Sequence, residues 1–198
     1  MASFEARTGC NMQITLLGTG DAIGTPKIGC HCPQCSYARS AGTQRLRTSF
    51  LIEKENKKIL VETTPDLRQQ LLLAGSPRID SVIWSHGHYD HFMGFGEFYR
   101  VQDLPHVFGG PGVIAYCGSI FGFMGLSASI KKAFQPFRVC GLEVTLFPVN
   151  HPPMETYGLL ICDHDTRIGY TSDTNACLPD ESLSCLEDLD LLFIDALV

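Results

Sequence analysis

A chain of 198 residues is long enough for one compact domain with a sizeable core, and 44% hydrophobic against 18% charged residues excludes a disordered or fibrous chain. No apolar run reaches membrane-spanning length and the opening Met-Ala-Ser-Phe-Glu-Ala-Arg lacks the apolar stretch of a signal peptide, so the expectation is a cytoplasmic protein with no membrane partner. A formal charge of −6 argues against an extended nucleic-acid partner, while a small phosphodiester stays open because bound cations would reverse the local charge.

Residues 1–11 carry no periodic pattern and read as an N-terminal extension, with the domain proper running over 12–198. Met12–Leu17 is a strand pattern, and Gly18–Gly24 is a tight loop whose glycine spacing is not that of a dinucleotide-binding turn. Thr48–Glu53 and Lys57–Glu62, joined by Lys54-Glu55-Asn56, predict a hairpin. Pro65 opens a helix over Asp66–Ala74 that stops at Gly75. Asp80–Ser85 is a short apolar strand, Gly96–Gln102 a helix, Val113–Cys117 a strand and Ser119–Lys132 an apolar helix. Strands then dominate, over Leu142–Val149, Tyr157–Asp163, Arg167–Thr171 and Leu191–Asp195, with a short helix over Pro179–Asp188. Strand pairs followed by helices, without strict alternation, predict an α/β sandwich of sheets covered by helices. The chain stops three residues after Asp195, at the end of an apolar strand, and that reads as a hint of truncation.

Nine cysteines are present, an odd number. Cys30, Cys32 and Cys35 are crowded too closely for disulfide geometry and call for a metal or redox explanation. The scattered Cys10, Cys117, Cys140, Cys162, Cys177 and Cys185 read as small apolar residues.

Ser85-His86-Gly87-His88-Tyr89-Asp90-His91 holds three of the seven histidines within six residues. Packing gives no reason for such a cluster, because burying imidazoles and a carboxylate together is costly without partners. Metal ligation does. At a strand end His86 and His88, two apart, point the same way toward one ion, and Asp90 and His91, beyond the turn, reach a second. Imidazole and carboxylate suit zinc, manganese or iron and disfavour calcium. His151 and Asp173 each follow an apolar strand, and combined with the cluster both become ligand candidates. Phe92, Phe95 and Tyr99 suit core packing beside the loop, while His31, His106 and His164 read as exposed.

The ordered series His86-x-His88-x-Asp90-His91, His151 and Asp173 in Thr171-Ser172-Asp173-Thr174 resembles the metallo-β-lactamase superfamily. With the Leu17-Gly18-Thr19-Gly20 loop and Cys30-x-Cys32-x-x-Cys35, it is similar to the branch of PhnP-type cyclic phosphodiesterases of the carbon–phosphorus lyase pathway. The resemblance runs from Met12 to the last residue and implies an αβ/βα sandwich, incomplete at its C-terminal end. It implies a first metal on His86, His88 and His151, a second on Asp90 and His91, and Asp173 bridging them. Asp90 is also carried as the catalytic carboxylate. The two ions, zinc or manganese, would hold a water as hydroxide for attack on phosphorus, and Cys30, Cys32 and Cys35 would hold a structural zinc.

Three departures accompany it. The superfamily places a further histidine, and the phosphodiesterase branch a zinc-completing histidine and a leaving-group acid, in a region that would follow residue 198. Glu62 stands where the superfamily has an aspartate that braces the metal loop. The expected function is a binuclear metal-dependent phosphodiesterase acting on a small or cyclic phosphodiester, with a homodimer as an open option. The alternatives are the same metal site acting on a lactone, a thioester or an RNA end, and an inactive, truncated metal-binding fragment.

Overall fold

The computed structural model describes residues 2–5 and 12–195; Cys10 and the closing residues 196–198, on which two of the expectations above fall, lie outside the described residues. Two sheets face one another. The first has seven strands in sequential order: β1 (Ala2–Glu5), β2 (Met12–Gly18), β3 (Ser49–Lys54), β4 (Lys57–Val61), β5 (Ser81–Ile83), β6 (His106–Gly109) and β7 (Ala128–Ile130). Strands β1 to β4 pair antiparallel and β4 to β7 parallel. The second sheet runs β12-β11-β10-β9-β8, with β8 (Phe137–Val139), β9 (Leu142–Pro148), β10 (Tyr157–Asp163), β11 (Thr166–Tyr170) and β12 (Leu191–Phe193). Here β8 to β11 form an antiparallel meander, and β12 joins β11 in parallel.

Alternation along the strands supplies the layer between the sheets. Ile14, Phe50, Ile52, Ile59 and Val61 from the first sheet share one core with Val144, Leu146, Leu159, Ile161 and Ile168 from the second. Helices α2 (Leu67–Leu73) and α4 (Pro111–Ile120), with the 3₁₀ turn Met93–Phe98, add Leu67, Val113, Phe95 and Phe98 to the same core. A smaller cluster of Phe147, Val149 and Leu160 is covered by Leu178, Leu186 and Leu189, on either side of α5 (Asp180–Ser184). The molecule is therefore the expected αβ/βα sandwich. Among the described residues no helix is long and apolar enough to cross a membrane.

Several local expectations are corrected. Residues 2–5, within the stretch read as an extension, pair with Gln13–Leu16. Val113–Cys117, expected as a strand, lies in α4, where Pro111 after Gly110 starts a helix with a φ already suited to it. The run is short and apolar throughout, so periodicity does not separate the two readings. The helix expected over Ser119–Lys132 ends at Ile120; a 3₁₀ turn follows over Gly122–Met124, then Gly125 at φ 75° and strand β7. The helix expected over Gly96–Gln102 is instead the 3₁₀ turn Met93–Phe98. The cysteine segment forms an additional helix, α1 (Pro33–Ala41), started by Pro33 and ended by Gly42 in the left-handed region, both standard boundary signals.

Strand ends set the site. Strands β4, β5, β9 and β11 deliver Glu62, His86, His151 and Asp173 to one edge of the sandwich, the edge at which open α/β sheets place their ligands.

Candidate metal centre

Strand β5 is followed by Trp84, Ser85 and His86, all fully buried. Trp84 stacks edge-on against Phe92 and Phe95 and donates from Nε1 to Thr63 Oγ1 at 2.8 Å. These aromatics form the floor under the loop, the core role expected for Phe92 and Phe95; Tyr99 is 44% exposed. A single helical turn, α3 (Tyr89–Phe92), then brings His91 back under the loop, with its N–H donated to the His88 carbonyl at 2.9 Å.

His86, His88, His151 and Asp173 offer ligand atoms that all lie within 4.8 Å of one another, and so do Asp90, His91 and Asp173. His88 Nδ1 is 3.1 Å from His86 Nε2 and 2.9 Å from His151 Nε2. Nitrogens bound tetrahedrally to one zinc ion stand about 3.3 Å apart, so this spacing fits a shared cation. Asp173 faces both sets. Its Oδ2 is 3.9 Å from His86 Nε2 and from His151 Nε2, and its Oδ1 is 3.3 Å from His91 Nε2. Asp90 Oδ2 is 3.3 Å from the same His91 nitrogen. Behind that ring, His91 Nδ1 and Glu62 Oε1 are buried, lack hydrogen-bond partners and stand 3.5 Å apart.

The electrostatics already favour ligand protonation states on one side. Burial, then the neighbouring His91, pushes the His86 pKa down to about 2, and burial and His151 lower that of His88. Both imidazoles are therefore neutral donors. Burial opposes the ionised form of Asp173, yet its hydrogen bond to His91 holds it at about 2. Burial likewise opposes the charged form of His91, but Glu62, Asp173 and Asp90 together hold its pKa well above the ordinary range. His91 thus stands in for a cation among three carboxylates, and the donor set fits a metal ion.

The flanking loops are tied to one another. Asn150 N donates to Thr174 Oγ1 at 3.2 Å, and Asn175 N to the Asn150 carbonyl at 3.0 Å, linking the His151 and Asp173 loops. Glu155 Oε1 accepts from Gly112 N and from Tyr157 OH, both at 3.0 Å, fixing the segment after His151 against the start of α4. Arg47 reaches three segments at once, donating to the Ala22 carbonyl, Asp66 Oδ1 and Tyr89 OH at 2.7 to 2.8 Å. A cleft of about 590 Å³ opens beside the cluster, lined by Asp90, His91 and Asp173 and also by Thr19, Lys27 and Arg45. Sequence reasoning missed Lys27 and Arg45, because no local pattern tells a cleft-facing cation from a surface one.

Cys30, Cys32 and Cys35 also converge, their sulfurs within 4.8 Å of one another. Cys32 caps α1, accepting the Cys35 N–H at 3.5 Å, and that bond, with Cys30 beside it, brings the Cys32 thiol down to about 7. Cys35 is buried and accepts the Lys27 N–H at 3.4 Å. Among the described residues no fourth ligand-bearing side chain joins this group, and His31 beside it is exposed. His164 is exposed as expected, whereas His106 is half-buried and bonds Ser127 and Ser129 at 2.8 Å. Of the scattered cysteines, Cys117 is buried and Cys140, Cys162 and Cys185 half-buried, while Cys177 is exposed, against the apolar reading.

Residues 57–198 match the model of the beta-lactamase superfamily domain. A solved diphosphatase from the PhnP family superposes with a TM-score of 0.82 at 28% identity, over 93% of this chain and 73% of that one. The Zn²⁺-bound PqqB from Methylobacterium extorquens shares the fold, with a TM-score of 0.80 at 23% identity over 90% of this chain and 71% of that one. An octanoyltransferase from Porphyromonas gingivalis is 29% identical over 200 residues, which is 94% of this chain. The chain spans only 39% of that relative's length.

Proposed function

The chain belongs to the beta-lactamase superfamily, by a match over residues 57–198, and from that premise we propose that it is a binuclear metal-dependent hydrolase of a small, or cyclic, phosphodiester. The observation that carries this reading is Asp173, which turns one carboxylate oxygen toward His86 and His151 and the other toward His91, on the wall of an open cleft. His86, His88 and His151 would hold one ion and Asp90 and His91 the other, with Asp173 available to both. Zinc and manganese both suit these donors. Such ions, when bound, acidify a water and neutralise charge on phosphoryl oxygens.

The chain's own residues do the rest. Glu62 holds the His91 ring from behind, so that Nε2 faces the cleft. Asp90, like Asp173, lines the cleft 3.3 Å from that ring's Nε2. Lys27 and Arg45 bring positive charge to the cleft lining, Lys27 partly offset by Asp21 at 3.2 Å, and an anionic substrate is drawn to such charge in an otherwise acidic protein. The likeness to a PhnP-family diphosphatase supports hydrolysis at a phosphoryl centre. Cys30, Cys32 and Cys35 would supply three ligands to a structural zinc, which would stiffen the segment carrying Lys27 and Gln34 into the cleft.

The test is turnover by the full chain, supplied with zinc or manganese, of a cyclic phosphodiester, a lactone and a thioester side by side. Cleavage of the phosphodiester alone is expected, and it should be abolished in His88→Ala. Turnover that survives in that variant overturns the binuclear mechanism, and hydrolysis of the lactone or thioester instead overturns the substrate class.

A further inference from the structure

Ser85 and Ser172 follow the ends of β5 and β11, one in each sheet, and they meet across the gap. Ser172 Oγ is 2.7 Å from Ser85 Oγ, and Ser85 Oγ is 2.9 Å from His86 Nδ1. Solvent does not reach this line: Ser172 is 2% exposed, Ser85 and His86 0%. Buried hydroxyls without water take their orientation from one another and from the ring they meet.

The direction of the chain follows from the other side of His86. Its Nε2 lies 3.1 Å from His88 Nδ1 and 3.9 Å from Asp173 Oδ2, so that nitrogen faces the ligand set. A neutral imidazole offers a lone pair at one nitrogen only when its proton sits on the other. A ligating Nε2 therefore needs the proton on Nδ1, and Ser85 Oγ is the acceptor for it. Ser85 Oγ also accepts from the Ser172 hydroxyl, so the one oxygen joins the imidazole to Ser172. The hydroxyl of Ser172 is the neighbour, in sequence, of the Asp173 carboxylate.

We propose that Ser85 and Ser172 form a two-hydroxyl bridge that positions His86 as a metal ligand, fixing its tautomer and ring plane and tying it across the sheets to the strand end that carries Asp173. They are positioning residues and touch no substrate. The inference rests on the reading of His86 as a ligand. It is separable from folding, because both backbones are anchored without the hydroxyls. Ser85 N donates to Glu62 Oε2 at 3.3 Å and its carbonyl accepts from Tyr157 N at 3.1 Å, while Thr171 N, next to Ser172, donates to the Phe193 carbonyl at 3.0 Å. Ser172 also has φ 55°, a left-handed backbone that glycine adopts without strain.

The experiment uses the full chain with Ser85→Ala, Ser172→Gly and the double variant, titrated with cobalt(II). Imidazole-bound cobalt reports through visible d–d bands, separate from the charge-transfer bands of cobalt on the three cysteines. Each single change should weaken uptake at the imidazole set by about 10- to 100-fold. The double variant should fall within about threefold of the weaker single one, because both changes break one serial chain. Affinity unchanged in either single variant, or losses that simply multiply, overturns the bridge. Long-range proton–nitrogen spectra of the zinc-loaded chain give the second readout. A proton on His86 Nδ1 is expected, and a proton-free Nδ1 overturns the assignment. Failure of the unsubstituted chain to give visible bands beyond those of cobalt on the three cysteines would instead sink the reading of His86, His88 and His151 as ligands, a different result from a variant that matches it.

Discussion

Glu62 takes a left-handed backbone, φ 64°, at the end of β4, a conformation costing a non-glycine residue about 1 kcal/mol. In return its carboxylate reaches two parts of the metal loop, with Oε2 3.3 Å from Ser85 N and Oε1 3.5 Å from His91 Nδ1. Glutamate thus serves in place of the aspartate expected there. Glu62→Gln should lower metal affinity at the Asp90, His91 and Asp173 set by about 10- to 100-fold, as loss of a carboxylate behind a ligating histidine does. A metal titration that matches the unsubstituted chain would contradict this. Asp80 illustrates the same chemistry away from the site. It accepts from Lys57 Nζ at 2.7 Å and Lys58 N at 2.9 Å; burial works against its charge, but these bonds hold its carboxyl below the usual range. A depressed carboxylate stabilises the fold above its unfolded pKa and loses that contribution as pH falls through the folded value. Because the pair is partly exposed, Asp80→Asn should cost only about 0.5 kcal/mol near neutral pH. In urea melts run across pH, the difference should fade as pH drops from the unfolded carboxylate range through the lower folded pKa.

At the scale of elements, the 3₁₀ turn Met93–Phe98 decides how the metal loop is seated. Gly94 N donates to the Thr63 carbonyl at 2.8 Å, and a Cβ on Gly94 would meet the Thr64 carbonyl oxygen at 1.8 Å. Backbone cannot step aside as a flexible side chain can, so Gly94→Ala should cost about 3 kcal/mol. Gly96, two residues on, has only Phe121 Cε1 at 3.8 Å, and Gly96→Ala should stay within about 1 kcal/mol. Equal urea midpoints for the two variants would rule out the packing argument. This turn also shows where sequence patterning stops. The pattern predicts a helix from Gly96, but tight packing of Gly94 against Thr63 and Thr64 starts the turn earlier and ends it at Phe98. Val113–Cys117 and Ser119–Lys132 depart from their patterns for a related reason. Uniformly apolar segments look alike as strand or helix until Pro111, Gly122 and Gly125 are weighed as boundaries.

For the whole molecule, the ligand sets join both sheets, so metal binding and folding should be coupled. A ligand present at 1,000 times its Kd stabilises the native state by about 4 kcal/mol. For a chain of this size, that is roughly 10 °C in Tm. Chelator treatment followed by calorimetry should show a drop of that order, reversed by zinc. An identical Tm with and without chelator would mean that the clustered side chains hold no ion.

The residue types of the centre are legible in the amino-acid sequence by itself, because His86-x-His88-x-Asp90-His91 has no packing rationale and is compact enough to stand out. The hairpin of β3 and β4, the meander of β9 to β11 and the sandwich class are legible too, from alternation and turn residues. Only the tertiary structure decided that Asp173 faces both ligand sets and that Glu62 stands behind His91. It also brought Ser172 against Ser85, 87 positions away in the chain, and put Lys27 and Arg45 in the lining of the cleft. The physical reason is range. Periodicity and turn chemistry act over a few neighbouring residues, whereas side chains from separate strand ends meet only once two sheets have closed on a shared core.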